Sequence, residues 1–105
     1  MLPALACLDS CNLNFPDPET ALEEPNGLLA FSGDLKPETL LKAYQQGIFP
    51  WYEESRPILW WSPNPRSVIY PKDIKISRSL KKIIRNYPWE VRINSAFQSV
   101  VSHCA

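Results

Sequence analysis

A chain of 105 residues has room for one modest domain, or for a small domain and part of another. An apolar share of 45%, with four Trp, four Tyr and four Phe, excludes a disordered segment, and no apolar run reaches the roughly 18 residues of a membrane-spanning helix. Net charge is zero but unevenly spread: residues 1–40 set Asp9, Asp17, Glu19, Glu23, Glu24, Asp34 and Glu38 against Lys36, whereas residues 70–92 set Lys72, Lys75, Arg78, Lys81, Lys82, Arg85 and Arg92 against Asp73 and Glu90, a pattern that points the second half toward an anionic partner.

In chain order, residues 1–14 show no period and read as a flexible terminus. Their apolar start lacks the basic segment of a secretory leader. Phe15-Pro16-Asp17-Pro18 is stiff, extended or turned, and Glu24-Pro25-Asn26-Gly27 is a turn leading into a strand over Leu28–Phe31. A helix follows over Pro37–Gln46. Pro37 suits its first position, Leu40, Leu41 and Tyr44 share a face, and Gly47 stops it. Lys36 is a poor N-cap there, so a frayed start is predicted. Pro57–Trp61 reads as a strand broken by Ser62-Pro63-Asn64-Pro65, and Arg66–Tyr70 as another. Ser77 caps a second helix over Arg78–Asn86. Trp89–Ile93 alternates as a half-buried strand does, and Asn94 or Ser95 caps a third helix carrying Phe97, Val100, Val101 and Cys104 on one stripe. That stripe runs to the last residue uncovered, as in a chain cut within a domain. Eleven prolines against three glycines fit this sequence of short elements.

Two features could carry chemistry. On the second helix Leu80, Ile83, Ile84 and Tyr87 fall on one face and Arg78, Lys81, Lys82 and Arg85 on the other. Four cations without intervening acids repel, at a few tenths of a kcal/mol per close pair; the face is either a phosphate-contact surface or plainly solvated. The aromatics Phe49, Trp51, Tyr52, Trp60 and Trp61 either wall a pocket for an apolar group or, as their composition alone favours, form the core of a small domain. The sole histidine, His103, reads as satisfied or solvated. Cys7 and Cys11 with His103 offer a zinc alternative, but their spacing is not that of a metal site and reduced thiols are the plainer reading. No metal and no cofactor are expected.

Glu24-Pro25-Asn26-Gly27-Leu28-Leu29-Ala30, Gly33-Asp34-Leu35, Leu40-Leu41-Lys42-Ala43-Tyr44-Gln45-Gln46-Gly47-Ile48-Phe49-Pro50-Trp51, Leu59-Trp60-Trp61-Ser62-Pro63-Asn64-Pro65-Arg66, Ile76-Ser77-Arg78-Ser79 and Asn94-Ser95-Ala96-Phe97 together make the chain resemble the leucyl/phenylalanyl-tRNA–protein transferases over roughly residues 15–105. The resemblance implies an α+β protein: a flexible N-terminus (1–14), a small N-terminal α+β domain (15–64), and the first strand-helix-strand-helix of an acetyltransferase-like (GNAT-like) domain, incomplete, over 65–105. It implies an enzyme of the cytoplasm, acting as a monomer without cofactor. That enzyme moves Leu or Phe (sometimes Met) from Leu-tRNA or Phe-tRNA onto an N-terminal Lys or Arg of proteins, in the bacterial N-degron route. Trp51 matches a wall of the aminoacyl side-chain pocket. Arg78, Lys82 and Arg85 match tRNA-contacting positions, Lys81 extends that stripe, and Tyr44 is a candidate near the acceptor end of the tRNA or a helix-packing tyrosine. Lys36 and Asn86 depart from the family pattern. The acid and amide groups that activate the acceptor amine belong to the family's C-terminal portion, so no catalytic residue is expected here and the chain alone is expected to hold tRNA without transferring.

Overall fold

The computed structural model describes residues 5–9 and 12–105, and these form two compact units, residues 1–67 and 68–105. The described part of the first unit is built on a mixed four-stranded sheet of order β1-β2-β4-β3, made of β1 (Ala6–Leu8), β2 (Leu28–Ser32), β3 (Phe49–Pro50) and β4 (Leu59–Trp61). β1 runs parallel to β2, pairing Ala6 with Ala30 and Leu8 with Ser32. β4 runs antiparallel to both β2 and β3, and the register slips by one residue between Leu28 and Ala30, which gives β2 a bulge at Leu29. The flexible reading of residues 1–14 therefore fails for Ala6–Leu8. Three residues carry no legible period, and a parallel partner more than twenty residues away leaves no local trace.

The core is small: Leu8, Leu29, Ala30, Ala43, Ile48 and Trp60 are buried, with Phe15, Leu40 and Ile58 packed around them. Trp60 is its largest side chain. Its indole N–H donates to the carbonyl of Ser32 at 2.8 Å and the ring of Phe15 meets it edge-on at 4.8 Å, so neither its polar atom nor its face is wasted. Gly27 is fixed by proximity as well as by its φ of +89°: a Cβ there would lie 2.5 Å from the backbone of Pro63. The close approach lets Ser62 N–H reach the Gly27 carbonyl at 2.7 Å and ties the turn before β2 to the end of β4.

Helix α1 (Pro37–Gln45) packs Thr39 and Ala43 inward, with Leu40 at the edge of the contact. Leu41 and Tyr44, grouped with Leu40 by spacing, are exposed. Small residues at 39 and 43 let the helix lie close, so its buried face is centred there and not on the larger side chains. Lys36 indeed contributes no side-chain cap. The start is nevertheless secured by Asp34, whose Oδ1 accepts from Lys36 N–H at 3.0 Å and from the buried Thr39 hydroxyl at 2.5 Å. Those two hydrogen bonds, aided by the Lys36 ammonium, hold the Asp34 carboxyl below its ordinary range. At the other end Gly47, at φ +72°, donates to Tyr44 O while Ile48 N–H donates to Ala43 O at 2.9 Å; both Ile48 and Ala43 are buried, which completes a Schellman stop.

The second unit contains α2 (Arg78–Asn86) and α3 (Phe97–Cys104) and a 3-10 turn at Pro71–Asp73. Every residue from 68 to 105 is exposed. The strands expected over 66–70 and 89–93 do not form: among the described residues nothing pairs with either segment, and alternation makes a strand only when another backbone takes its N–H and C=O groups. α3 starts at Ala96 without a side-chain cap, because Asn94 is in the left-handed region at φ +57° and leads into a bend, not into the helix. The protein is thus a mixed α+β chain of four short strands and three helices among the described residues.

Candidate functional site

Of the five aromatics singled out by sequence, the structure separates their roles. Trp60 is core, as composition favoured. Trp51 is the opposite, with 75% of its surface exposed. Its backbone is nonetheless held on both sides: Trp51 N–H donates to Leu59 O at 2.9 Å and Trp51 O accepts from the indole N–H of Trp61 at 2.8 Å. Phe49, opposite Trp61 in the ladder, lies under the guanidinium of Arg66 at 5.6 Å, and the same guanidinium donates from Nη2 to Gly47 O at 2.7 Å. A large apolar ring projected from a fixed backbone is suited to contact with an apolar group; nothing about it is suited to proton transfer. Trp61 had been only one of a group and Arg66 only part of a motif; their link to Trp51 depends on the β3–β4 register, which the sequence does not display.

Tyr44 is exposed on α1. A cleft of about 640 Å³ opens elsewhere in the same unit, lined by polar side chains that include Glu19, Glu23, Asn26, Asn64 and Arg66, and Trp51 is not on its wall. Glu53, close to Trp51 in sequence, pairs with Arg56 at 3.2 Å on the surface.

In the second unit all four predicted cations lie on α2. Ser77 caps it as expected, its Oγ accepting from Leu80 N–H at 3.2 Å. No acidic residue stands in the first turn, where Arg78 opposes the helix dipole; Arg85, in the last turn, favours it. Among the described residues Arg78, Lys81, Lys82 and Arg85 make no ion pair, the three found being Lys36–Asp34, Arg56–Glu53 and Arg92–Glu90.

His103 turns its Nδ1 back to Ser99 O within α3, the satisfied reading of that residue. Cys7 and Cys104 are free thiols, Cys11 lies outside the described residues, and no cluster of three metal-ligating side chains exists among those described. Among the described residues no helix is long and apolar enough to cross a membrane.

Both units have relatives in one enzyme class. Residues 33–64 match the family model described as the leucyl/phenylalanyl-tRNA protein transferase N-terminal domain, and residues 68–105 match the one described as leucyl/phenylalanyl-tRNA protein transferase. The leucyl/phenylalanyl-tRNA–protein transferase of Shewanella loihica is 58% identical over 91 residues, covering 87% of this chain and 39% of the relative. The proteins of that name from Yersinia enterocolitica and Idiomarina loihiensis are 54% and 58% identical over 98 residues, covering 93% of this chain and 42% of each relative. The chain belongs to the leucyl/phenylalanyl-tRNA–protein transferase family, and it spans about two fifths of the length of these relatives.

Proposed function

We propose that this chain is the aminoacyl-tRNA-facing part of an aminoacyltransferase that moves Leu, Phe or Met from its tRNA to an N-terminal Lys or Arg of a protein, marking that protein for the bacterial N-degron route. The observation that carries this reading is α2: four cations on one face, none in an ion pair, within a chain more than half identical to named transferases. Arg78, Lys81, Lys82 and Arg85 contact tRNA phosphates; Trp51 forms one wall of the Leu or Phe pocket, where shape rejects β-branched and polar side chains; Tyr44 stands toward the acceptor end. Charged tRNA places the reaction in the cytoplasm. Residues 65–105 begin an acetyltransferase-like domain.

Peptide-bond formation requires an acceptor amine relieved of its proton and a donor for the developing oxyanion. The buried polar side chain among the described residues is that of Thr39, engaged with Asp34, and His103 is exposed with its Nδ1 on Ser99 O. This favours holding over transfer for these 105 residues by themselves. Two assays test the reading together. The purified chain should bind leucyl-tRNA with a log–log salt slope that falls by about 0.9 for each phosphate contact removed by Lys82→Glu or Arg85→Glu. It should transfer no labelled leucine to a peptide beginning with Arg under conditions in which the Shewanella loihica relative is active. Salt-independent or absent tRNA binding would remove the nucleic-acid role, and transfer by the chain alone would require a base among Glu53, Glu54, Asp73 and His103.

A further inference from the structure

The segment Gly47–Trp51 leaves α1, forms the edge strand β3 and ends in an exposed indole, a combination that ordinarily gives a mobile side chain. Here it is gripped at both ends. At the start, one guanidinium both donates to Gly47 O at 2.7 Å and covers the ring of Phe49 at 5.6 Å. A planar fork stacks and donates in one fixed geometry, which an ammonium on a flexible stem does not reproduce. At the end, Trp51 N–H is taken by Leu59 O and Trp51 O is taken by the Trp61 indole N–H at 2.8 Å. Between them Pro50 fixes its own φ. Amides alternate direction along a strand and that of Trp51 points at Leu59, so Pro50 holds the position whose missing N–H would face outward. Both tryptophan backbone groups are therefore satisfied although the residue lies at the sheet edge, and one of the two partners is a side chain with no other evident task.

We infer that Trp61 and Arg66 are positioning residues that set the orientation in which Trp51 meets the apolar side chain of the aminoacyl group. The inference rests on the reading of Trp51 as a pocket wall. Its physical content is preorganisation: the backbone of residues 47–51 is ordered before binding, so only the torsions of the Trp51 side chain are left to be fixed at that moment. Trp61 and Arg66 touch no substrate in this scheme and act through Trp51 alone.

The test uses the 105-residue chain with Trp61 replaced by its benzothiophene isostere, which keeps ring shape and removes the N–H donor, and separately Arg66→Lys. Amide hydrogen exchange at Trp51 should accelerate about three- to tenfold in the isosteric variant, the order expected from one lost hydrogen bond, while Leu29 and Ala30 exchange as in the parent chain. Arg66→Lys should loosen Phe49 and Trp51 with the same core amides unchanged. Exchange at Trp51 within twofold of the parent in both variants overturns the inference, and so does an equal acceleration at Leu29 and Ala30, which makes these residues general supports of the fold. A second arm follows the Trp51 indole resonance during titration with adenosine carrying leucine in amide linkage at its 3′ carbon. Affinity several-fold weaker in both variants, and lost in Trp51→Ala, supports the positioning role. If the parent chain itself does not bind this probe, the pocket reading of Trp51 fails, and the exchange arm still decides whether Trp61 and Arg66 order it.

Discussion

Residues 1–67 and residues 68–105 have similar supplies of apolar side chains and opposite fates. The first unit buries a tryptophan, two leucines and an isoleucine among four strands and a helix. The second buries none: Leu80, Ile83 and Ile84 on α2, Val91 and Ile93 in the segment after it, and Phe97, Val100 and Val101 on α3 are all exposed. Amphipathic patterning therefore specifies which face of an element wants cover but not that cover exists. The first unit meets the need through non-local pairing, β1 with β2 and β2 with β4; the second has local helices with ordered termini and no sheet to lay them on.

The sharpest way to press this contrast is Trp60→Ala. Removing the largest buried side chain should cost about 3–5 kcal/mol and strip exchange protection from β2, β4 and α1. Protection in α2 should be unchanged; a matching loss there would break the distinction between the units. Gly27→Ala comes next, since the added Cβ meets Pro63 backbone at 2.5 Å and the φ of +89° is unsuited to alanine. It should destabilise the first unit by at least about 1–3 kcal/mol, seen as a lower denaturant midpoint for the tryptophan fluorescence change.

Acid should act more gently, at the start of α1. Because the Asp34 carboxyl is held below its ordinary 3.8, the unfolded chain binds its proton first as pH falls. The contribution is complete above that ordinary value and disappears as pH drops through the lower folded-state value, so stability rises with pH across this window. A chemical-shift titration of Lys36 N–H should show the transition, and Asp34→Asn should abolish it. Smallest of all is Val101→Ala in the second unit. An exposed valine should change stability by no more than about 0.5 kcal/mol, against several times that for a buried counterpart such as Leu29→Ala. A large effect at Val101 would show a cover that the described residues lack.

What could be read in the sequence was local. α1 and α2 carried their own punctuation, with Pro37 and Gly47 bounding one and Ser77 opening the other, and the strands at 28–32 and 59–61 stood between clear turn residues. The cationic face of α2 was legible because helical spacing alone creates it. The rest depended on partners distant in the chain. β1 is invisible without β2; the strands expected at 66–70 and 89–93 lacked the partner that a pattern cannot supply. Asp34 escaped notice because it ties α1 from two residues before the cap position and reaches inward to Thr39. In the same way, the exposure of Trp51 and its attachment to Trp61 follow from the register of β3 on β4, so within the aromatic cluster seen in sequence Trp60 went to the core, Trp51 to the surface and Trp61 to a hydrogen bond with Trp51.

The parallel seating of β1 on β2 also bears on how the chain is made. β1 lies first in sequence, yet its ladder partner is residues 30–32, and β2 in turn leans on β4 at residues 59–61. During synthesis Ala6–Leu8 leaves the ribosome long before anything exists for it to pair with, whereas the β3–β4 pair closes over a short stretch of chain. β1 therefore has no ladder partner until residues 30–32 have been made, and the strand that supports β2 on its other side follows only with residues 59–61.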